Sequence, residues 1–190
     1  MTVDTEIPDN RDDIVAQSRV IIEQGSKSFA TAARLFDAQT RDHAYMLYAW
    51  CRYCDDVIDG QELGFGQTKQ SRQEHTTALE YLYAETQNAT SGRASTDPIF
   101  IGLQRVVKEC RIPAIHPREL IDGFAMDVDE RRYDTIDDIL TYCYHVAGVV
   151  GIMMAMIMGV RDQRVLNRAC DLGLAFQLTN ICRDILEDAS

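Results

Sequence analysis

Acidic side chains dominate the stretch CRYCDDVIDG, which runs from Cys51 to Gly60. Its carboxylates are Asp55, Asp56 and Asp59. If the stretch is helical, Asp55 and Asp59 lie one turn apart and face the same way. Hard divalent cations such as Mg²⁺ prefer carboxylate oxygens and usually bind through one or two carboxylates together with substrate phosphates. The spacing therefore favours a cation site, although a solvated acidic face would give the same pattern.

Two further polar residues share this face of the helix. At about 100° per residue, a stripe roughly 60° wide contains Tyr48, Arg52, Asp55 and Asp59. A solvated acidic face rarely places a tyrosine and an arginine directly in line with its acids. An arginine in this position is suited to contact phosphate oxygens.

The cysteines of the same stretch form a C-x-x-C pair, Cys51 and Cys54, which is also typical of metal and redox sites. On the helix both lie on or beside the apolar face that carries Leu47, Trp50 and Ile58. A structural zinc site usually combines two such pairs, and the sequence has no second C-x-x-C. A thioredoxin-like motif needs a βαβ setting, for which the sequence gives no signal. We therefore predict that these thiols pack in the core.

A second oxygen-rich stripe stands in QLTNICRDILED, residues 177–188. On a helix, Arg183 lies beside an arc of roughly 80° that contains Gln177, Asn180, Asp184 and Asp188. Two such stripes that face each other across a bundle can hold metal ions that clamp a diphosphate between them. We predict Mg²⁺ as the cation, with Mn²⁺ as the alternative.

The composition limits the classes of partner. The chain has 190 residues, 46% of them hydrophobic, which is enough for one domain with a core. Its 30 Asp and Glu outnumber 19 Lys and Arg, so the net charge of -11 argues against nucleic acid as a partner. The N-terminus has no basic segment followed by an apolar one, so no secretory signal is visible and we expect a cytoplasmic protein.

Helical periodicity dominates the sequence and strand signals are scarce. We predict an all-α protein with a flexible acidic N-terminus over residues 1–10 and one helical domain over 11–190. The predicted helices span residues 11–24, 27–37, 40–59, 71–87, 97–110, 117–128, 135–159 and 162–188.

An apolar segment, YCYHVAGVVGIMMAMIMGV, covers residues 142–160. Its uncharged run from Val146 to Val160 is shorter than the roughly 20 residues of a membrane span, which favours a buried core helix. Small residues recur on helical spacing at Gly148, Gly151, Ala155 and Gly159. They either let helices approach closely or leave room along the wall of a tunnel for a long hydrocarbon.

Four segments together resemble the squalene and phytoene synthase family. They are GSKSFATAARLF (25–36), YAWCRYCDDVID (48–59), YCYHVAGVVG (142–151) and QLTNICRDILED (177–188). The resemblance implies an all-α isoprenoid synthase bundle with a central cavity. It also implies Mg²⁺-dependent joining of two geranylgeranyl diphosphates, through a cyclopropyl diphosphate, to phytoene in carotenoid biosynthesis. The alternatives are a squalene or dehydrosqualene synthase acting on farnesyl diphosphate, and a non-catalytic relative that binds lipid diphosphates.

The resemblance also assigns roles to individual residues. It implies that the metal ligands are Asp55, Asp56, Asp59, Asn180, Asp184 and Asp188. It implies that the substrate contacts are Gly25, Ser26, Lys27, Ser28, Tyr48, Arg52, Gln177 and Arg183. Catalysis would depend most on Tyr48, Arg52, Asp55, Asp59, Asp184 and Asp188. Read without the resemblance, the Ser-Lys-Ser after Gly25 is an ordinary helix N-cap.

The family pattern extends beyond the second acidic motif, with further helices that close the bundle. We therefore expect the domain over 11–190 to be incomplete at its C-terminal side, and the isolated chain to be inactive if that part is required. The expected partner is an isoprenoid diphosphate, with peripheral membrane contact because the product is apolar. The sequence leaves the oligomeric state open.

Overall fold

The all-α prediction is confirmed in the part of the chain that the structure describes. The computed structural model describes residues 11–61, 63, 71–129 and 131–188, with the side chains of 185–188 outside that description. The predicted flexible segment 1–10 also lies outside it. The helices are α1 (Arg11–Gly25), α2 (Lys27–Ala33), α3 (Ala38–Asp59), α4 (Arg72–Thr90), α5 (Pro98–Glu109), α6 (Ile115–Val128), α7 (Ile136–Cys143), a π-helix (Tyr144–Gly148), α8 (Val149–Ile157) and α9 (Gln163–Asp188).

Side-chain caps fix where several helices begin. Asp37 caps α3 by accepting a hydrogen bond from the backbone N–H of Thr40 at 3.0 Å. Capping boxes begin α4 at Ser71 and α7 at Thr135. The predicted helix 27–37 is therefore too long, because the chain leaves α2 after Ala33 and turns into the cap of α3.

The core is built around one face of α3. That face is buried against α1, α5, α6 and α8, and its fully enclosed side chains include Met46, Leu47, Trp50 and Cys54. Burying such side chains supplies the main free energy for packing the bundle. Because this face is fixed in the core, the polar stripe one face away must lie at the edge of the bundle.

Glycines bring α9 into close contact with the preceding helical segment. A Cβ on Gly173 would lie 2.5 Å from the carbonyl oxygen of Ala147, and one on Gly151 would collide with the carbonyl oxygen of Ala169. Gly148 is equally crowded, by the side chain of Leu174. The first of the two interpretations of these small residues is therefore confirmed: Gly148 and Gly151 allow helices to approach.

The predicted helix 135–159 is divided rather than continuous. A π-helix covers Tyr144–Gly148 between α7 and α8, and α8 ends before Gly159, which has φ +87°. Single-turn π segments of this kind occur often at functional sites. Because the π-helix winds more loosely than an α-helix, side chains before Tyr144 and after Gly148 do not continue on the same helix face.

By length and composition, Ile136–Ile157 is also apolar enough to cross a membrane. In the structure its second half belongs to the core, with Val149 and Met153 fully buried. It packs against α6 and α9. These contacts agree with the predicted core helix.

Gly173→Ala should lower the free energy of unfolding by about 1–3 kcal/mol, because the new methyl group meets a backbone carbonyl that cannot turn aside. The matched control is Gly102→Ala in α5, where the nearest atoms to an added Cβ lie at 3.5 Å. Urea denaturation of both variants measures the difference. Equal stability of the two variants would contradict the close approach of α9.

Candidate functional site

The first predicted stripe is present on α3 with direct contacts between its members. The Arg52 guanidinium lies 2.7 Å from Oδ2 of Asp55 and 3.8 Å from Oδ1 of Asp56. Burial opposes the charge of Arg52, but the neighbouring oxygens of Tyr48, Asp55 and Asp56 raise its pKa above the ordinary value. The arginine therefore stays charged, as a phosphate contact requires.

The Tyr48 end of the stripe meets the N-terminal end of α2. A Cβ on Gly25 would lie 2.6 Å from the Tyr48 hydroxyl, so a side chain at this position would displace the tyrosine. The rings of Phe29 and Tyr48 pack edge to face at 6.1 Å. The segment 25–28 thus lies beside the stripe that it was predicted to join.

Within this segment the two serines are engaged locally. Ser26 caps α2 by accepting a hydrogen bond from the backbone N–H of Phe29 at 3.3 Å, and its hydroxyl lies 3.2 Å from that of Ser28. The N-cap interpretation is therefore correct for Ser26. Capping the helix does not prevent this serine from also contacting a diphosphate. Lys27 is exposed, with no carboxylate within 4.0 Å in the described part of the chain.

Asp56 differs from its neighbours in the motif. Its Oδ2 accepts a hydrogen bond from the backbone N–H of Leu63 at 2.8 Å, and its side chain is 12% exposed. This bond holds the chain after Gly60, where the left-handed backbone ends α3. Of the predicted ligands on α3, Asp55 and Asp59 are therefore more available to a cation than Asp56.

The carboxylates at this end of the bundle repel one another. Burial, together with the charges of Asp59 and Asp56, raises the pKa of Asp55 to about 6, although Arg52 opposes the shift. Burial and Asp56 also raise the pKa of Asp59. A bound cation would relieve this repulsion, so the donor set suits a divalent metal ion.

Asp127, on α6, joins this group and was missed by sequence reasoning. Burial and the charges of Asp59 and Asp55 raise its pKa to about 6. It belongs to neither stripe, and only the packing of α6 beside α3 brings it near. Because that proximity is tertiary, the spacing of residues along the chain gave no signal for it.

Two tyrosines accompany Asp127. The Tyr142 hydroxyl donates a hydrogen bond to Oδ2 of Asp127 at 3.3 Å. The Tyr133 ring packs against that of Tyr142 with centroids 5.3 Å apart. Tyr142 is the first residue of the segment 142–151 that carries part of the family resemblance, but it was not predicted as a site residue. That segment was the signal in the sequence that could have identified it.

The second stripe lies on α9, which packs against α7, the π-helix and α8. Gln177, Asn180 and Asp184 are partly exposed, and Arg183 Nε lies 2.8 Å from Oδ1 of Asp184. The side chain of Asp188 is outside the described residues. Among the residues described, no three His, Cys, Asp or Glu side chains are grouped closely enough to hold a metal ion. That the two stripes share a cation therefore stays a prediction.

The thiols behave as core groups. All six cysteines are free, and Cys54 is fully buried. Burial and the Asp55 charge raise the pKa of Cys51 to about 12. A thiol held in its protonated form is a poor metal ligand and a poor nucleophile. The packing interpretation of the C-x-x-C pair is supported.

This arrangement of helices and acids can be compared with known proteins. The family model described as Squalene/phytoene synthase matches residues 22–190. The chain belongs to the squalene/phytoene synthase family. It is 53% identical over 177 residues to a 15-cis-phytoene synthase of Paracoccus sp., covering 93% of this chain and 58% of that relative. It is 57% identical over 166 residues to a phytoene synthase of Pseudescherichia vulneris, covering 87% and 54%.

Solved structures of the family share the fold. A dehydrosqualene synthase superposes with a TM-score of 0.78 at 28% identity, covering 94% of this chain and 59% of its own. A squalene synthase from Alicyclobacillus acidocaldarius gives 0.79 at 26% identity, covering 94% and 64%. The isoprenoid synthase fold is thereby confirmed. The chain spans a little over half the length of the relatives it matches most strongly.

Cys54→Ala should lower the free energy of unfolding by about 1–2 kcal/mol, because it leaves a small cavity beside Trp50. It should leave the affinity for Mn²⁺ unchanged, since the thiol is not a ligand. Urea denaturation and Mn²⁺ titration measure the two quantities. A loss of Mn²⁺ affinity in this variant would instead support a metal site that contains the thiols.

The raised carboxyl pKa values also predict how stability depends on pH. Between about pH 4 and about pH 6, the folded protein binds more protons at Asp55 and Asp127 than the unfolded chain, whose carboxyls titrate near 3.9. Their contribution to the free energy of unfolding therefore decreases as the pH rises through this window. In Asp127→Asn, the free energy of unfolding should therefore depend less on pH within this window.

Urea midpoints at pH 5 and pH 7 test this expectation. The control is Asp129→Asn, which removes an exposed carboxylate two residues further along. If both variants change the pH dependence equally, the specific environment of Asp127 is not its cause.

Proposed function

We propose that this protein provides the site for Mg²⁺-dependent joining of two geranylgeranyl diphosphates to phytoene, by way of a cyclopropyl diphosphate. The Arg52–Asp55 pair, in line with Asp59 one turn further along α3, carries the proposal, because an arginine beside two carboxylates suits a diphosphate bound together with a cation. The 53–57% identity to bacterial phytoene synthases supports this substrate class.

Diphosphate binding is assigned to the cationic groups around the acids. Arg52 is charged and lies in line with Asp55, and Lys27 is exposed at the start of α2. Arg183 lies on the second stripe with Gln177. Together they would neutralise the charge that develops on the leaving diphosphate, which is the main electrostatic requirement of this reaction.

The residues that would hold the metal are Asp55 and Asp59, with Asn180, Asp184 and Asp188 from the second stripe and Asp56 nearby. Their oxygens suit Mg²⁺ or Mn²⁺, and the mutual repulsion of Asp55 and Asp59 favours a cation between them. Bound there, the metal would supply positive charge to the diphosphate and help it to leave. The chain's own part is to place the carboxylates and to exclude water.

An apolar wall for the hydrocarbon is assigned to α8. Val150 and Met154 are half-buried and one turn apart, so they can face a ligand while their neighbours fill the core. Methionine suits such a wall because its side chain adapts to irregular apolar shapes. An apolar wall would shield an allylic cation from water.

A second candidate is squalene or dehydrosqualene formation from farnesyl diphosphate. It is favoured by the fold similarity to a dehydrosqualene synthase and a squalene synthase at 26–28% identity. The higher identity to phytoene synthases supports the longer substrate as the first candidate. Competition between the two diphosphates in one incubation would rank them.

We propose a cytoplasmic location with peripheral contact at a membrane. The product is a hydrocarbon without polar groups, so it would pass from the cavity into a bilayer rather than into water. The apolar ring of Phe29, which is 60% exposed, packs against Tyr48 at this end of the site, and Leu35, which is 88% exposed, follows the same short helix.

Incubation with geranylgeranyl diphosphate and Mg²⁺, followed by product analysis, tests the proposed reaction. It should be run on this chain and on a form extended with the C-terminal region of the Paracoccus relative. The extended form should make phytoene, and Asp55→Ala or Asp184→Ala should reduce its turnover at least about 100-fold while the fold persists. No phytoene from the extended form, or full turnover in either variant, would refute the proposal.

A further inference from the structure

Asp127 connects two groups of side chains at the edge of the bundle. On one side the helix α6 that carries it packs beside α3, where the charges of Asp55 and Asp59 act on its carboxyl group. On the other side it accepts the hydrogen bond from Tyr142 at 3.3 Å. Neighbouring groups desolvate it in part, but its side chain still reaches solvent, so a ligand in this region can contact it.

The Tyr142 ring and its hydroxyl are held by different partners. The Tyr133 ring packs against it with an interplanar angle of 48°, which limits the ring's orientation. The direction of the O–H bond is set separately, by the hydrogen bond to Asp127. Without Asp127, the hydroxyl would lose this acceptor, and its proton could turn toward a bound ligand.

A hydroxyl whose proton is committed to Asp127 offers only lone pairs to anything else. Lone pairs attract a positive charge, whereas a free O–H would repel it. The reaction proposed above creates an allylic cation beside the departing diphosphate, so the orientation of this hydroxyl bears directly on that cation.

We propose that Asp127 is a positioning residue that holds the Tyr142 hydroxyl with its lone pairs toward the cationic part of the substrate. The role rests on the proposed function, because it supposes an isoprenoid cation next to the first acidic stripe. It assigns to Asp127 an action through Tyr142 rather than through a bound metal ion.

The test is the affinity of this chain for a geranylgeranyl trialkylammonium ion, which imitates the allylic cation, in the presence of Mg²⁺ and pyrophosphate. Geranylgeraniol, with the same chain and no charge, is the reference ligand. Wild type should bind the ammonium ion more tightly than the alcohol. Asp127→Ala should weaken ammonium binding about 3- to 10-fold, as expected for one hydrogen bond, and leave the alcohol unchanged.

Further variants distinguish an effect of the orientation of the Tyr142 hydroxyl from an effect of the Asp127 charge itself. Asp127→Asn keeps an acceptor for the Tyr142 hydroxyl and should retain most of the affinity. Tyr142→Phe should match Asp127→Ala, and combining the two should weaken binding no further. Asp129→Ala, which removes a carboxylate at the same end of α6, should have no effect.

Three results would overturn the inference. They are equal loss in Asp127→Asn and Asp127→Ala, an effect of Asp127→Ala that persists in the Tyr142→Phe background, and no preference of wild type for the ammonium ion. Phytoene formation by the extended form together with any of these would leave the proposed function intact and refute only the role of Asp127.

Discussion

Repulsion among the carboxylates on and beside α3 is the interaction on which the candidate site depends. Asp55 and Asp59 on α3 and Asp127 on α6 stand close enough to act on one another's charge. Such a group lowers stability unless something positive joins it. Arg52 offsets part of the repulsion at 2.7 Å from Asp55, and a bound cation would offset more of it.

The rest of the fold serves to keep these charges in place. Trp50 and Cys54 are fully buried and hold one face of α3 in the core, which fixes the orientation of the acidic stripe on the same helix. The bond from the Leu63 N–H to Asp56 and the left-handed Gly60 fix the end of the same helix. Because these contacts hold α3 in place, its carboxylates stay close together although their charges repel.

The sequence predicted those parts of the site that depend on one helix at a time. Helical spacing alone put Tyr48, Arg52, Asp55 and Asp59 on one face and the two thiols on another, and the structure agrees. It could not find Asp127, whose neighbours belong to a different helix. Nor could it show that Gly148 and Gly151 lie against α9, because a small residue looks the same whether it faces a helix or a ligand.

The second stripe, on α9, repeats the spacing of the first but lies on a different set of helix contacts. Its spacing on α9 is as regular as that of the first, and Arg183 pairs with Asp184 as Arg52 pairs with Asp55. In the described part of the chain, however, α9 packs against α7, the π-helix and α8, and no ligand cluster combines the stripes. A shared diphosphate bridged by metal ions would join them, since Mg²⁺ commonly completes its coordination with phosphate oxygens and water.

The most direct measurement is a Mn²⁺ titration of this chain by electron paramagnetic resonance, with and without pyrophosphate. Binding should be saturable and stronger with pyrophosphate, and Asp55→Ala and Asp184→Ala should each weaken it. Binding that ignores pyrophosphate, or that survives unchanged in both variants, would contradict a site built from the two acidic stripes.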